Sequence, residues 1–313
     1  MGSEYHRPVM PREVLRMLAP RSGGVYLDAT VGGGGHARLI LEASAPDGFL
    51  VGMDRDAEAL AAAQEVLASF RGRFRLVQGS FSEMENALRE AGKTACDGIL
   101  MDLGVSSHQL DEGRRGFSFM RNAPLDMRMD CRQEMTAREA VNTLSGEELE
   151  RIFREYGEER FARRIARRLV EARCNAPLNT TQELADLVRE EVPGKGEGQR
   201  IHPATRVFQA LRIFVNDELG QLREGLEAAV NCLAPEGCLA VLTYHSLEAR
   251  VVKEIFHREA IGCVCPASFP VCVCHHVPRL ALAGSGVKPE AQEVANNPRA
   301  RSAVLRGARR LRE

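Results

Sequence analysis

The sequence predicts an α/β fold, a doubly wound and mostly parallel sheet interrupted by an all-helical insertion. Three observations lead there. Through about the first hundred residues, short apolar runs alternate with helical periodicities, the pattern of a parallel sheet covered on both faces. The first of these runs ends on an acid and opens into a glycine run, Gly32 to Gly35. From about His108 to Asn216 no strand pattern is found, and the α/β alternation resumes afterwards.

The elements follow in order. Val25 to Thr30 reads as a strand and His36 to Ala45 as a helix. Phe49 to Asp54 is a second strand, Ala57 to Phe70 an alanine-rich helix, and Phe74 to Gln78 a third strand. Ser82 to Glu90 is helical, and Gly98 to Leu103 is a fourth strand. In the central stretch three capping boxes mark helix starts: Thr136 with Glu139, Ser145 with Glu148, and Thr180 with Glu183. One long helix is expected from Glu147 to Cys174. Leu219, Leu222, Leu226, Val230 and Leu233 then recur at helical spacing. Gly237 to Tyr244 is a strand, Glu248 to His257 a helix, and Ser302 to Leu305 a last short strand, with a disordered stretch beyond it. The expected division is a discontinuous α/β domain, residues 1–107 and 217–313, around a helical domain, 108–216.

Composition narrows the function. A hydrophobic content of 44% supports a proper core, and a net charge of −1 argues against a broad non-specific nucleic-acid surface. Tryptophan is absent and there are four tyrosines, too few for a platform of stacked aromatics. No apolar run is long enough to span a bilayer, and the N-terminus has no signal-peptide pattern. Nine cysteines, an odd number with several scattered singly, fit a reducing compartment, so a cytoplasmic location away from membranes is expected.

The glycine run carries the first chemistry. Asp28 closes the first strand, the glycines and His36 follow, and Asp54 ends the second strand about twenty residues later, where an acid meets the ribose hydroxyls of an adenosine cofactor. Gly32, Gly34 and Ala37 also satisfy the dinucleotide pattern, so a nicotinamide cofactor stays open on spacing alone. Asp28 favours S-adenosylmethionine. A carboxylate there would repel a pyrophosphate but could meet a cationic amino-acid end. Asp102 ends the fourth strand beside the same crevice, where reacting groups belong.

Further motifs carry a resemblance that runs almost end to end. They are His6-Arg-Pro-Val9, Gly33-Gly-Gly-His36, Met101-Asp-Leu-Gly-Val-Ser-Ser107, Arg115-Gly-Phe-Ser-Phe119 and Pro124-Leu-Asp-Met-Arg-Met-Asp130. After them come Tyr156-Gly-Glu-Glu-Arg-Phe161, His202-Pro-Ala-Thr-Arg206, Phe208-Gln-Ala-Leu-Arg-Ile213, His245-Ser-Leu-Glu248 and Asn297-Pro-Arg-Ala-Arg-Ser302. In this order they resemble the bacterial 16S ribosomal RNA cytosine-N4 methyltransferases (RsmH, older name MraW). The chain departs from that pattern at Asn122-Ala123, Val207 and Ala249.

The resemblance implies a Rossmann-like class I methyltransferase sheet with an inserted helical domain. It also implies methyl transfer from S-adenosylmethionine to N4 of a cytidine in the decoding region of 16S rRNA. The cofactor contacts it implies fall on Gly33, Gly34, Gly35, His36, Asp54, Phe81, Asp102 and Gln109. The implied partner is 16S rRNA within the small ribosomal subunit or an assembly particle, and a homodimer stays open. Asp102 doubles as the candidate catalytic acceptor for the target amine.

Substrate candidates come from residue type and position. Phe117 and Phe119 could stack on a base or simply pack. Arg163 and Arg167 lie on an arginine-rich helix face suited to phosphates, or to a solvated face paired with glutamates. His202 could touch substrate or cap a helix, Arg206 follows one turn later, and His245 follows the fifth strand. Cys263, Cys265, Cys272 and Cys274 form C-x-C-x6-C-x-C, which reads as a metal site, packed thiols or a redox pair. Methyl transfer needs no metal, and no metal ligand is assigned.

Overall fold

The computed structural model describes residues 8–106, 113–192, 202–266, 268–269 and 271–312. The chain forms two compact units, Met1–Gly104 with Leu219–Glu313, and Val105–Glu218, where the sequence reading had cut at 108–216.

The first unit is built on a seven-stranded sheet of order β3-β2-β1-β4-β5-β7-β6. Its strands are β1 (Val25–Asp28), β2 (Phe49–Asp54), β3 (Phe74–Gln78), β4 (Cys96–Asp102), β5 (Leu233–Thr243), β6 (Leu280–Leu282) and β7 (Val304–Arg310). Pairing is parallel from β3 through β5, and β7 runs antiparallel to both β5 and β6. This is the doubly wound, Rossmann-like arrangement the sequence predicts.

Side-chain alternation explains why both faces are covered. Leu27, Val51, Ile99, Met101, Leu239 and Val241 enter one apolar cluster. Their neighbours Tyr26, Leu50, Leu100, Ala240 and Leu242 enter the other. Successive strand residues point to opposite faces, so a continuous apolar run can only be satisfied by a layer of helices on each side. One layer holds α1 (Pro11–Leu18), α2 (Gly35–Ala43) and α3 (Ala57–Val66), which bury Val14, Ile40 and Ala63. The other holds α4 (Met84–Glu90), with Leu88, and two helices from the C-terminal part of the unit that bury Leu226 and Val252.

Several expectations change. The helix Ala57 to Phe70 stops at Val66 and continues as a 3-10 turn, Ala68–Phe70. Leu233 belongs to β5, where it pairs with Cys96, and does not extend the preceding helical stripe. The short last strand, expected to end at Leu305 with disorder beyond it, runs from Val304 to Arg310. Leu305 and Ala308 are buried on opposite faces of the sheet among more exposed arginines, and the Arg306 guanidinium donates to Thr243 Oγ1 at 2.9 Å. Charge masked this strand, because three of its seven residues are arginines and interrupt the apolar run.

The second unit consists of α5 (Ala137–Thr143), α6 (Gly146–Glu155), α7 (Ala162–Arg173), α8 (Thr181–Glu191) and α9 (Ala204–Asn216). All three capping boxes form: Thr136, Ser145 and Thr180 each accept from the N3 backbone N–H, and the matching glutamates bond back. A core of Val141, Leu149, Phe153, Ile165, Leu184 and Leu211 joins the helices. Apart from a single bridge, Pro124 to Thr180, the described residues here carry no strand.

The long helix expected from Glu147 to Cys174 is instead two, α6 and α7. Gly157 packs so closely that a Cβ would lie 2.7 Å from the carbonyl oxygens of Phe153 and Arg206, and Glu158 is left-handed at φ 47°. A left-handed residue ends an α-helix, and periodicity on either side does not reveal it.

Candidate active site

β1 leads outward to β2 and β3, and the chain then returns to place β4 on the other side of β1. The reversal leaves a crevice at the carboxyl ends of β1 and β4, the usual ligand position in an open α/β sheet. Asp28, Asp54 and Asp102 end β1, β2 and β4 around it.

The glycine turn is held from both sides. Val31 N–H donates to the Met53 carbonyl at 2.8 Å, and Gly34 N–H to the Val31 carbonyl at 2.8 Å. Gly32 and Gly34 take φ of 51° and 81°, and a Cβ on Gly34 would sit 3.2 Å from Ala63 Cα. Only glycine combines that backbone with that approach. Gly33 lies within the turn, and Gly35 opens α2. One Asp54 oxygen accepts from Gly32 N–H at 2.9 Å and the other from Asp56 N–H at 3.0 Å. The acid expected to meet a ribose therefore also clamps the glycine turn.

Asp28 is buried and accepts from Thr30 N–H at 3.2 Å, while Thr30 Oγ1 accepts from Asp102 N–H at 2.7 Å. Tyr244 O–H donates to Asp102 Oδ1 at 2.7 Å, and His36 Nε2 lies 3.7 Å from Asp102 Oδ2. His36 is buried in the first turn of α2. Thr30 and Tyr244 were not singled out from sequence. Each had a signal: Thr30 lies two residues beyond a strand-ending acid, and Tyr244 follows the strand that pairs with β4.

Burial pushes all three carboxyls upward. Asp28 rises to about 7 through desolvation, helped by Asp102 and Asp54 and opposed by the bond from Thr30. Asp102 rises to about 7 through desolvation, with Tyr244 opposing and Glu248 adding to the rise. Asp54 reaches about 6 by desolvation, against its bonds from Asp56 and Gly32. Three acids desolvated together favour a cation and offer acceptors to hydroxyl or amine donors. A glycine turn beside them, with no room for a side chain at Gly34, suits an adenosine cofactor with a cationic amino-acid end.

Phe81 begins the 3-10 turn Phe81–Glu83 after β3, with the Arg55 guanidinium 5.3 Å from its ring centre. Its ring rests on the backbone of Gly225, where a Cβ would have no space. Gln109 lies outside the described residues.

The substrate candidates divide. Phe117 is buried in the core of the helical unit, which removes it as a base-stacking platform; its position is one of packing. Phe119 is half-buried, with its ring centre 4.7 Å from His202 and 5.0 Å from Phe208. His202 Nδ1 accepts from the N–H of Ala204, the first residue of α9, at 3.1 Å. Arg206 is exposed and donates to the Glu158 carbonyl at 3.2 Å. Arg163 and Arg167 are exposed on α7, and Arg167 stands 3.7 Å from Glu171. His245 caps the helix Ser246–Ala260: its Nδ1 accepts from Glu248 N–H, and the Glu248 carboxylate bonds back to the His245 backbone at 3.2 Å. Asp126 pairs with Arg128 at 2.8 Å and Asp130 with Arg132 at 2.7 Å, local ion pairs within the helical unit.

The profile of the MraW methylase family matches residues 3–311. The chain belongs to this family. Relatives named ribosomal RNA small subunit methyltransferase H include one from Syntrophotalea carbinolica, 59% identical with 98% of each chain covered. Another, from Geobacter sulfurreducens, is 57% identical over 98% of this chain and 99% of its own. Among solved structures, an rRNA methylase from Streptococcus thermophilus covers 96% of this chain and 94% of its own at 10% identity and a TM-score of 0.42, too distant to add to the sheet order already described. As a member of this family the chain is a methyltransferase whose cofactor is S-adenosylmethionine. No helix among the described residues is long and apolar enough to cross a membrane.

Proposed function

We propose that this methyltransferase modifies N4 of a cytidine in the decoding region of 16S rRNA, in the cytoplasm, on a small-subunit particle. The observation that carries the reading is the grouping of Asp28, Asp54 and Asp102 at three strand ends around the glycine turn. It is supported by the 59% identity to a ribosomal RNA small subunit methyltransferase H.

S-adenosylmethionine, when bound, supplies an electrophilic methyl group on a sulfonium. The glycine turn and Asp54 would hold its adenosine part, Phe81 would face the base, and Asp28 would meet the amino-acid end. Asp102 serves the nucleophile. A cytosine exocyclic amine donates its lone pair into the ring, so a carboxylate that accepts one of its N–H bonds returns electron density to nitrogen and fixes its approach. Tyr244 holds one Asp102 oxygen at 2.7 Å, and the other, 3.7 Å from His36 Nε2, would accept that bond. The target base leaves its stack to enter. Arg163 and Arg167 would grip phosphates on the helical unit.

Methylation of undermethylated small subunits, followed by nucleoside mass spectrometry, tests the reading. N4-methylcytidine at one position is expected, and methylation of another base or atom would refute it. Reversing Arg163 and Arg167 to glutamate is expected to weaken subunit binding and make its salt dependence shallower, because fewer counterions are released. Affinity for S-adenosylhomocysteine should not change. An unaltered salt slope would make that face merely solvated.

The carboxyls also predict a pH dependence. Unfolded, these aspartates lose their protons near pH 4; folded, Asp28 and Asp102 keep theirs to about 7 and Asp54 to about 6. Across that window the native state holds more protons, so the stability these groups add below pH 4 is lost as pH rises through their folded values. A bound cation favours the ionised acids. Calorimetric titration with S-adenosylhomocysteine should therefore show proton release near pH 6, little at pH 8.5, and affinity rising between. Flat affinity without proton release would mean that the acids do not meet the cationic end.

A further inference from the structure

We infer that Cys263, Cys265, Cys272 and Cys274 form a tetrathiolate site for one tetrahedral divalent metal ion, zinc by its chemistry, which staples the loop between the helix Ser246–Ala260 and β6. The four sulfurs lie within 4.8 Å of one another. Cys272 and Cys274 are 3.5 Å apart and Cys274 and Cys263 3.9 Å apart. Zinc–thiolate bonds of about 2.3 Å at tetrahedral angles put sulfurs about 3.8 Å apart, which matches. A disulfide would bring a pair to about 2.05 Å, so these spacings are those of ligands around a common centre.

The surrounding backbone supports the sulfurs reciprocally. Val264, between the first two cysteines, donates its N–H to Cys274 Sγ at 3.4 Å, and Val273, between the last two, donates to Cys265 Sγ at 3.4 Å. Each C-x-C arm thus hydrogen-bonds a sulfur of the other, the outer support that metal-bound thiolates require.

The described residues of the loop form little core of their own. Its apolar residues face solvent: Val264, Phe269, Val271, Val273 and Val277 are 43–70% exposed. Its described residues contain no helix or strand between Ala260 and Leu280. The base is anchored, since buried Glu259 pairs with Arg279 at 2.6 Å and Arg258 at 3.0 Å, and His276 Nε2 bonds the Arg258 carbonyl at 2.9 Å. Among the described residues the large apolar side chains of the tip are exposed, and a short segment without a core takes its stability from a cross-link. Tetrahedral sulfur coordination selects zinc among the common divalent ions, and the thiols enter as thiolates, releasing their protons on binding.

The full-length protein, purified under reducing conditions without chelator, is expected to carry one zinc per chain by elemental analysis. Cobalt(II) added to demetallated protein should give the sulfur-to-metal charge-transfer and intense visible bands of a tetrahedral tetrathiolate. The pair Cys272→Ser with Cys274→Ser should lower the metal content at least tenfold, whereas Cys131→Ser with Cys174→Ser should leave it at one. Chelation should speed amide exchange in residues 261–279 and leave the sheet protected. These readouts on unmutated protein stand even if the double variant fails to fold. Reduced protein that takes up no cobalt, or a spectrum of octahedral oxygen or nitrogen ligation, would overturn the assignment.

Discussion

Asp54→Ala is expected to lower affinity for S-adenosylhomocysteine by about a hundredfold, because a charged hydrogen bond contributes about 1.5–3 kcal/mol and this carboxylate is placed to make more than one. The two Asp54 oxygens accept from the Gly32 and Asp56 N–H groups. Alanine removes both the acceptor for a ribose hydroxyl and the clamp on the glycine turn, leaving two backbone N–H groups without that partner. Asp54→Asn retains an acceptor oxygen without the charge and should lose less. The sheet should persist in both variants, since β2 is held by parallel pairing to β1 and β3. Calorimetric titration reads the affinities, and circular dichroism checks the fold. Undiminished affinity in the alanine variant would remove Asp54 from the cofactor site.

Asp102→Asn is expected to slow methyl transfer about a hundredfold at saturating cofactor, the usual scale for a positioned proton acceptor. Two roles are separable here. A residue that only holds the cofactor raises the concentration required and is rescued by excess S-adenosylmethionine. One that aligns or polarises the amine lowers the maximal rate at saturation. The second is the expected outcome, because asparagine keeps one acceptor oxygen but loses the charge, while Tyr244 O–H already engages Oδ1. Tyr244→Phe, which removes only that hydrogen bond, should cause a smaller loss in the same direction. Single-turnover methylation of small subunits decides, and a wild-type rate for Asp102→Asn would leave Asp102 as a cofactor ligand alone.

The sheet strands β1 to β4 and the glycine turn were legible because local rules suffice for them. Apolar runs of strand length ended on Asp28, Asp54 and Asp102, and doubly wound topology puts strand ends together. The capping boxes were legible for the same reason, since the N-cap and N3 residues contact each other in the helix they start. The reading failed where backbone conformation or pairing was decided by distant residues. The α6–α7 break depends on close packing of Gly157 and a left-handed Glu158. Strand β7 was hidden by its arginines and exists because β5 offers it an edge. Phe117 and Phe119 share a motif, yet one is core and the other is half-buried beside His202 and Phe208. No local pattern separates them.

The sequence by itself determined the α/β class, the helical insertion, the acids and glycines at the strand ends, and the family to which the chain belongs. Only the tertiary structure decided which groups those acids engage: Asp54 on the glycine turn, Tyr244 on Asp102, and Thr30 between Asp28 and β4. It also decided that His245 caps a helix and that His202 accepts from the first N–H of α9, and it turned a cysteine pattern with three open readings into four converging sulfurs. The physical reason is common to all of these. Local propensity and periodicity are set by neighbours along the chain, whereas hydrogen-bond partners, desolvation and ligand convergence are set by groups that meet only after folding.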